Sequence, residues 1–92
     1  MRIDEYQKII SEIYLERDQN RGISETIAWL AEEVGELAKA VRKGTKEEQL
    51  HELSDVFAWT VSLANQLDLD MTEAAIRFAN ACPSCESKPC RC

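Results

Sequence analysis

From Met1 to Cys82 the chain contains no proline, and two of its three glycines stand where runs of helical periodicity stop. Proline breaks helices and glycine ends them, so this placement favours a few long helices. Residues 2–20 bring Ile3, Tyr6, Ile9, Ile10, Ile13 and Tyr14 onto one stripe. Gly22 closes that run, and Ser24 is the expected N-cap of the next. There Ile27, Leu30, Val34, Leu37 and Val41 recur at steps of three and four up to Gly44. Thr45 and Glu48 read as a capping box opening a third helix, with Leu50, Leu53, Phe57, Val61 and Ala64 on its apolar side. Asp70 and Glu73 read as a second box. The pattern predicts helices over 2–20, 24–43, 46–67 and 71–81 and no strand. The fold class is all-α, an antiparallel bundle of about four helices.

A chain of 92 residues makes one domain. We expect a helical domain over 1–81 and a cysteine-rich tail over 82–92. A chain of this size buries roughly 60–65% of the surface it exposes unfolded. Four apolar stripes exceed what it covers alone, which predicts completion as a homodimer or homotetramer. Seventeen acidic against eleven basic residues give a net charge of −6. That balance disfavours a nucleic-acid polymer as partner and leaves divalent cations open. No apolar run reaches the ~18 residues of a membrane span, and MRIDEYQKII offers no signal-peptide core. A soluble, cytoplasmic protein without a membrane partner is the expectation. Its cysteines then read as metal or thiol chemistry before disulfides.

Glu33 and Glu36 stand three apart on the second helix, as do Glu52 and Asp55 on the third. Each pair therefore points to one side. Glu36 lies eight residues before Gly44 and Glu52 seven after Thr45; Glu33 lies eleven before and Asp55 ten after. Two helices folded back through this turn put Glu36 level with Glu52 and Glu33 level with Asp55. Solvated acids on exposed helix faces are the plain alternative. Two pairs at matching heights weigh against it, because four converging carboxylates repel unless a cation lies among them. Oxygen-only ligands suit Mg²⁺, Mn²⁺ or Ca²⁺. Trp29 lies one turn before Glu33 and Trp59 one turn after Asp55, so the two indoles should also be level. They are core or interface aromatics, or they stack a base beside a metal-held phosphate chain.

LAEEVGELAKAV followed by HELSDVFAWTVSLA resembles the MazG-like all-α nucleoside triphosphate pyrophosphohydrolases. Their paired motif, Glu-x-x-Glu then Glu-x-x-Asp, is matched by Glu33-Val34-Gly35-Glu36, fifteen intervening residues, and Glu52-Leu53-Ser54-Asp55. The likeness spans roughly residues 24–80. It implies Mg²⁺-dependent hydrolysis of a nucleoside triphosphate to monophosphate and pyrophosphate, by a helical homo-oligomer with sites between subunits. It also places phosphate-binding groups after the second motif, where Arg77 and Asn80 stand. Many members continue with a basic tail; this chain has CPSCESKPCRC instead. On the chemistry, Glu33, Glu36, Glu52 and Asp55 hold the metal, and Glu32 or Glu33 takes a proton from the attacking water. Lys43, two turns beyond Glu36, meets the outgoing pyrophosphate or is simply a solvated lysine near a helix C-terminus.

Cys82-x-x-Cys85 and Cys90-x-Cys92 place four thiols in eleven residues. A Cys₄ structural zinc site is the simplest account; Fe–S ligation, two local disulfides and a thiol-rich terminus are the others. His51, the only histidine, gives with Glu48 half of a di-iron motif. By helical angle we place it on the surface, away from Glu52 and Asp55. The competing functional class is a non-catalytic helical dimer that binds nucleotide or metal and docks through a zinc-binding tail.

Overall fold

A computed structural model describes all 92 residues. Four helices follow in order: α1 (Ile3–Arg21), α2 (Ile23–Lys43), α3 (Lys46–Gln66) and α4 (Met71–Ile76). The all-α, four-helix expectation holds. None of the helices is long and apolar enough to cross a membrane.

Gly22 alone separates α1 from α2. Its φ of +92° is one that a side chain would strain, and its N–H donates to Asp18 O at 2.9 Å. Because the chain turns within this single residue, α2 starts before Ser24. The N-cap is therefore Gly22, and Ser24 lies inside the first turn. Thr26, fully buried, donates its hydroxyl to Gly22 O at 3.0 Å.

Gly44 ends α2 for a different reason. Its backbone is extended, and a Cβ there would sit 2.8 Å from Ala40 O. Thr45 caps α3 by accepting from the Glu48 N–H at 3.2 Å, and its hydroxyl donates to Glu48 Oε1 at 3.2 Å. Glu48 thus leans on the cap's side chain and not on its backbone.

The α2–α3 hairpin is antiparallel, since Trp29 near the start of α2 meets Trp59 near the end of α3. Helix α1 packs across α3. The Tyr6 and Phe57 rings lie 4.8 Å apart, and Gln66 Nε2 donates to Asp18 O at 2.7 Å. Gln7 pins the start of α1 to the α3–α4 link: its Nε2 donates to Asn65 Oδ1 and Leu69 O, and its Oε1 accepts from the Met71 N–H.

The fourth helix is shorter than its pattern. Asp70 caps it, accepting from the Thr72 N–H at 2.8 Å, but Glu73 does not complete a box. Helical structure stops at Ile76 and not at residue 81, passing into tighter turns at Phe78 and Ala79. Ile76 and Phe78 are both about three-fifths exposed. A helix of a few turns with no buried face is marginal in water.

The core is thin. Ile10, Ala40, Val61 and Ala64 are the only apolar residues fully buried, joined by Asp18, Thr26 and Ser62. Ile27, Val34 and Val41 of α2 and Leu50, Leu53 and Phe57 of α3 remain between 44% and 68% exposed. The stripes that predicted the helices are thus only partly covered within one chain.

Candidate active site

The two motif pairs face each other across α2 and α3, but of the four acids only Glu52 and Asp55 fall in a group whose ligand atoms lie within 4.8 Å of one another, together with His51. The Glu33 carboxyl is raised above its ordinary value by burial first, and then by the charges of Asp55, Glu52, Glu32 and Glu36. One half-buried residue of α2 therefore feels both acids of the α3 pair. Glu36 and Glu52 line a common cleft of about 320 Å³ near the Gly44 turn, together with Lys39, Lys43 and Glu48. Glu33, Glu52 and Asp55 are half-buried; Glu32 and Glu36 are exposed. No lysine, arginine or histidine forms an ion pair with Glu32, Glu33, Glu36 or Glu52. The four motif acids offer oxygen donors, which fit a hard divalent cation such as Mg²⁺.

His51 is a correction. Its imidazole is exposed, as expected, but it does not point away from the acids. Its Nε2 lies 3.6 Å from Asp55 Oδ2, and ligand atoms of His51, Glu52 and Asp55 lie within 4.8 Å of one another. Positions four apart on a helix differ by only ~40° in direction, so the i,i+4 relation carries His51 to Asp55. Glu48 is instead engaged with Thr45, so the half di-iron pair is not assembled.

The indoles are level. Trp29 and Trp59 lie parallel within 9°, with centroids 6.0 Å apart. Arg21 places its guanidinium 4.8 Å from the centre of the Trp59 ring. A smaller cleft of about 130 Å³ runs beside this pair, lined by Tyr14, Asp18, Arg21, Asp55, Trp59 and neighbours. It joins one motif carboxylate to one of the aromatics.

Asp18 and Arg21 went unseen in the sequence. Asp18 is 2% exposed, its Oδ1 takes an ion pair from Arg21 at 2.6 Å, and its Oδ2 has no partner. The only local signal is their i,i+3 spacing, within a run of polar residues.

Arg77 and Asn80 line neither cleft. Arg77 lies over Phe78, with its guanidinium 5.1 Å from the ring centre. Asn80 lines a separate cleft with Lys88 of the tail. All four cysteines converge, their sulfurs within 4.8 Å of one another. The backbone amides of Arg91 and Ser87 hold the Cys85 thiol down at about 6.

Compared with known families, the MazG nucleotide pyrophosphohydrolase domain matches residues 21–83, from the last residue of α1 through α2, α3 and α4 to Pro83. No curated protein matches the chain.

Proposed function

The chain belongs to the MazG nucleotide pyrophosphohydrolase family, and we propose that it hydrolyses a (deoxy)nucleoside triphosphate to the monophosphate and pyrophosphate in a Mg²⁺-dependent reaction. Membership carries pyrophosphohydrolase-type activity in general. The observation that supports the finer reading is the cleft that Glu36 of α2 shares with Glu52 of α3, beside a Glu33 carboxyl raised by burial and then by Asp55 and Glu52.

In this reading Glu33, Glu36, Glu52 and Asp55 hold the cation. Bound there, Mg²⁺ (or Mn²⁺) neutralises polyphosphate charge and makes water a better acid. A carboxylate oxygen left free of the metal, on Glu33 or on Glu32 beside it, takes the proton of the attacking water. Water adds at a phosphorus of the α–β anhydride and the bond from that phosphorus to the bridging oxygen opens, which releases monophosphate and pyrophosphate. Lys43, in the cleft with Glu36 and Glu52, meets the departing pyrophosphate. Trp29 and Trp59 offer flat surfaces to the base.

Arg77 and Asn80 bind phosphate only if a second copy presents them to the carboxylates. A homodimer or homotetramer supplies that copy, and the open stripe of Ile27, Val34, Leu53 and Phe57 is the surface it covers. Residues 1–81 are the hydrolase unit in this scheme and 82–92 an appended tail.

Pyrophosphate release from a panel of nucleoside triphosphates with Mg²⁺ is the test. Glu36→Gln and Asp55→Asn should each abolish release while leaving the far-UV circular dichroism unchanged. An amide keeps the shape of the acid and removes the charge that holds the cation. Activity within a factor of about two of the parent would place the metal elsewhere, because losing a ligand charge weakens the hold on the cation.

A further inference from the structure

The tail assembles something that the hydrolytic reading does not use. Beyond Ile76 there is no further helix, and no residue from 82 to 92 is fully buried. Two backbone bonds reverse the chain: the Cys82 N–H donates to Ser87 O at 3.1 Å and the Glu86 N–H to Cys82 O at 2.7 Å. The reversal returns Cys90 and Cys92 to Cys82 and Cys85. Sulfur–sulfur distances are 4.0 Å for Cys82–Cys92, 3.9 Å for Cys85–Cys90 and 3.4 Å for Cys90–Cys92.

We propose that Cys82, Cys85, Cys90 and Cys92 bind one Zn²⁺ per chain in a closed structural site that holds residues 82–92 folded. Metal–sulfur bonds of about 2.3 Å give a tetrahedron whose sulfur–sulfur edges are about 3.8 Å. The observed separations scatter around that edge. A disulfide needs about 2.05 Å, and two disulfides would sort the sulfurs into separate pairs. Here Cys90 approaches both Cys85 and Cys92, and Cys92 approaches both Cys82 and Cys90. A multi-iron cluster would insert irons and sulfides between the thiolates and spread them. The Arg91 N–H donates to Cys85 Sγ at 3.4 Å, the kind of outer contact that orients a thiolate ligand. Four thiolates complete the tetrahedron and leave no position for water, so the site is not catalytic. Its fold-level effect is local. Phe78, Asn80, Ser87 and Lys88 line one cleft of about 240 Å³, and the ion keeps the tail's wall of that cleft in place.

The test uses the full chain, purified with reductant and without chelator. Elemental analysis should find one zinc per chain, released when a mercurial titrates four thiols. Exchange with Co²⁺ should give the thiolate charge-transfer and d–d bands of a tetrahedral sulfur site. The Cys85→Ser/Cys90→Ser variant should fall to background zinc with its helical signal kept, whereas Glu36→Gln/Asp55→Asn should retain one zinc. That contrast separates the tail from the acidic site, and the cobalt spectrum of the parent decides the matter even if the cysteine variant misfolds. Background zinc with four free thiols, iron in place of zinc, disulfides in protein kept reduced, or zinc that follows the carboxylates and not the cysteines would each overturn the proposal.

Discussion

Arg21→Met should expose how much of the fold hangs on one buried ion pair. Asp18 is 2% exposed, with Oδ1 held by Arg21 at 2.6 Å and Oδ2 without a partner. Removing the guanidinium strands a buried carboxylate on both oxygens. Breaking such a pair from one side costs about 3–5 kcal/mol. The stacked guanidinium on Trp59 adds about 0.5–1 kcal/mol. The Arg21 side chain is 20% exposed, which favours the lower part of the range. The expected loss is about 3–4 kcal/mol at pH 7. At about 4–8 °C per kcal/mol for a domain of this size, Tm should fall by at least ~12 °C. Thermal and urea unfolding followed by circular dichroism, at one protein concentration, measures this. Adding Asp18→Asn should recover about half of the loss or more, because an amide is far cheaper to bury unpaired. A loss under ~1 kcal/mol, or no recovery in the double variant, would refute the reasoning.

Two other expectations concern charge and assembly. Glu33 is raised by burial and four neighbouring acids, so its ionisation opposes folding above the raised value and ceases to matter below the ordinary 4.5. Glu33→Gln should therefore stabilise the metal-free protein at neutral pH, and the gain should vanish on acidification. Melting curves in EDTA across pH would contradict this if the variant were less stable than the parent at pH 7. Leu53→Glu, on the open stripe of α3, should dissociate the proposed oligomer; a parent mass of 10.5 kDa by light scattering at micromolar concentration would remove the oligomer itself.

The parts of the molecule legible in the sequence are those governed by helical arithmetic. Counting from the Gly44 turn places Trp29 and Trp59 level, and they stack. The count works because a two-residue turn preserves register along two rigid rods. The same tool fails at His51: helical angle predicts it away from Glu52 and Asp55, yet it stands one turn before Asp55 and lies 3.6 Å from it. The end of α4 and the burial of Asp18 were not legible for another reason. The box at Asp70 and Glu73 predicts a helix to residue 81, but Ile76 and Phe78 stay about three-fifths exposed. Asp18 sits in the polar run Glu16 to Arg21, and only the docking of that turn on Gln66 of α3 takes it out of water. Burial by a distant element leaves no trace in local periodicity.

The single-residue joint at Gly22 bears on how this chain can change over generations. Connections between helices are ordinarily where length varies freely. The α3–α4 link, Leu67 to Asp70, has four residues of room, although Gln7 ties its Leu69 to α1. Gly22 has none, because it serves both helices at once through its +92° φ, its N–H on Asp18 O and its carbonyl under Thr26. One inserted or deleted residue would turn α2 by ~100° against α1. Arg21 would leave the face of Trp59, and the cleft shared with Asp55 would lose a wall. A change of length at this joint would therefore disturb α1 and α2 together, where the same change in a longer link would disturb neither.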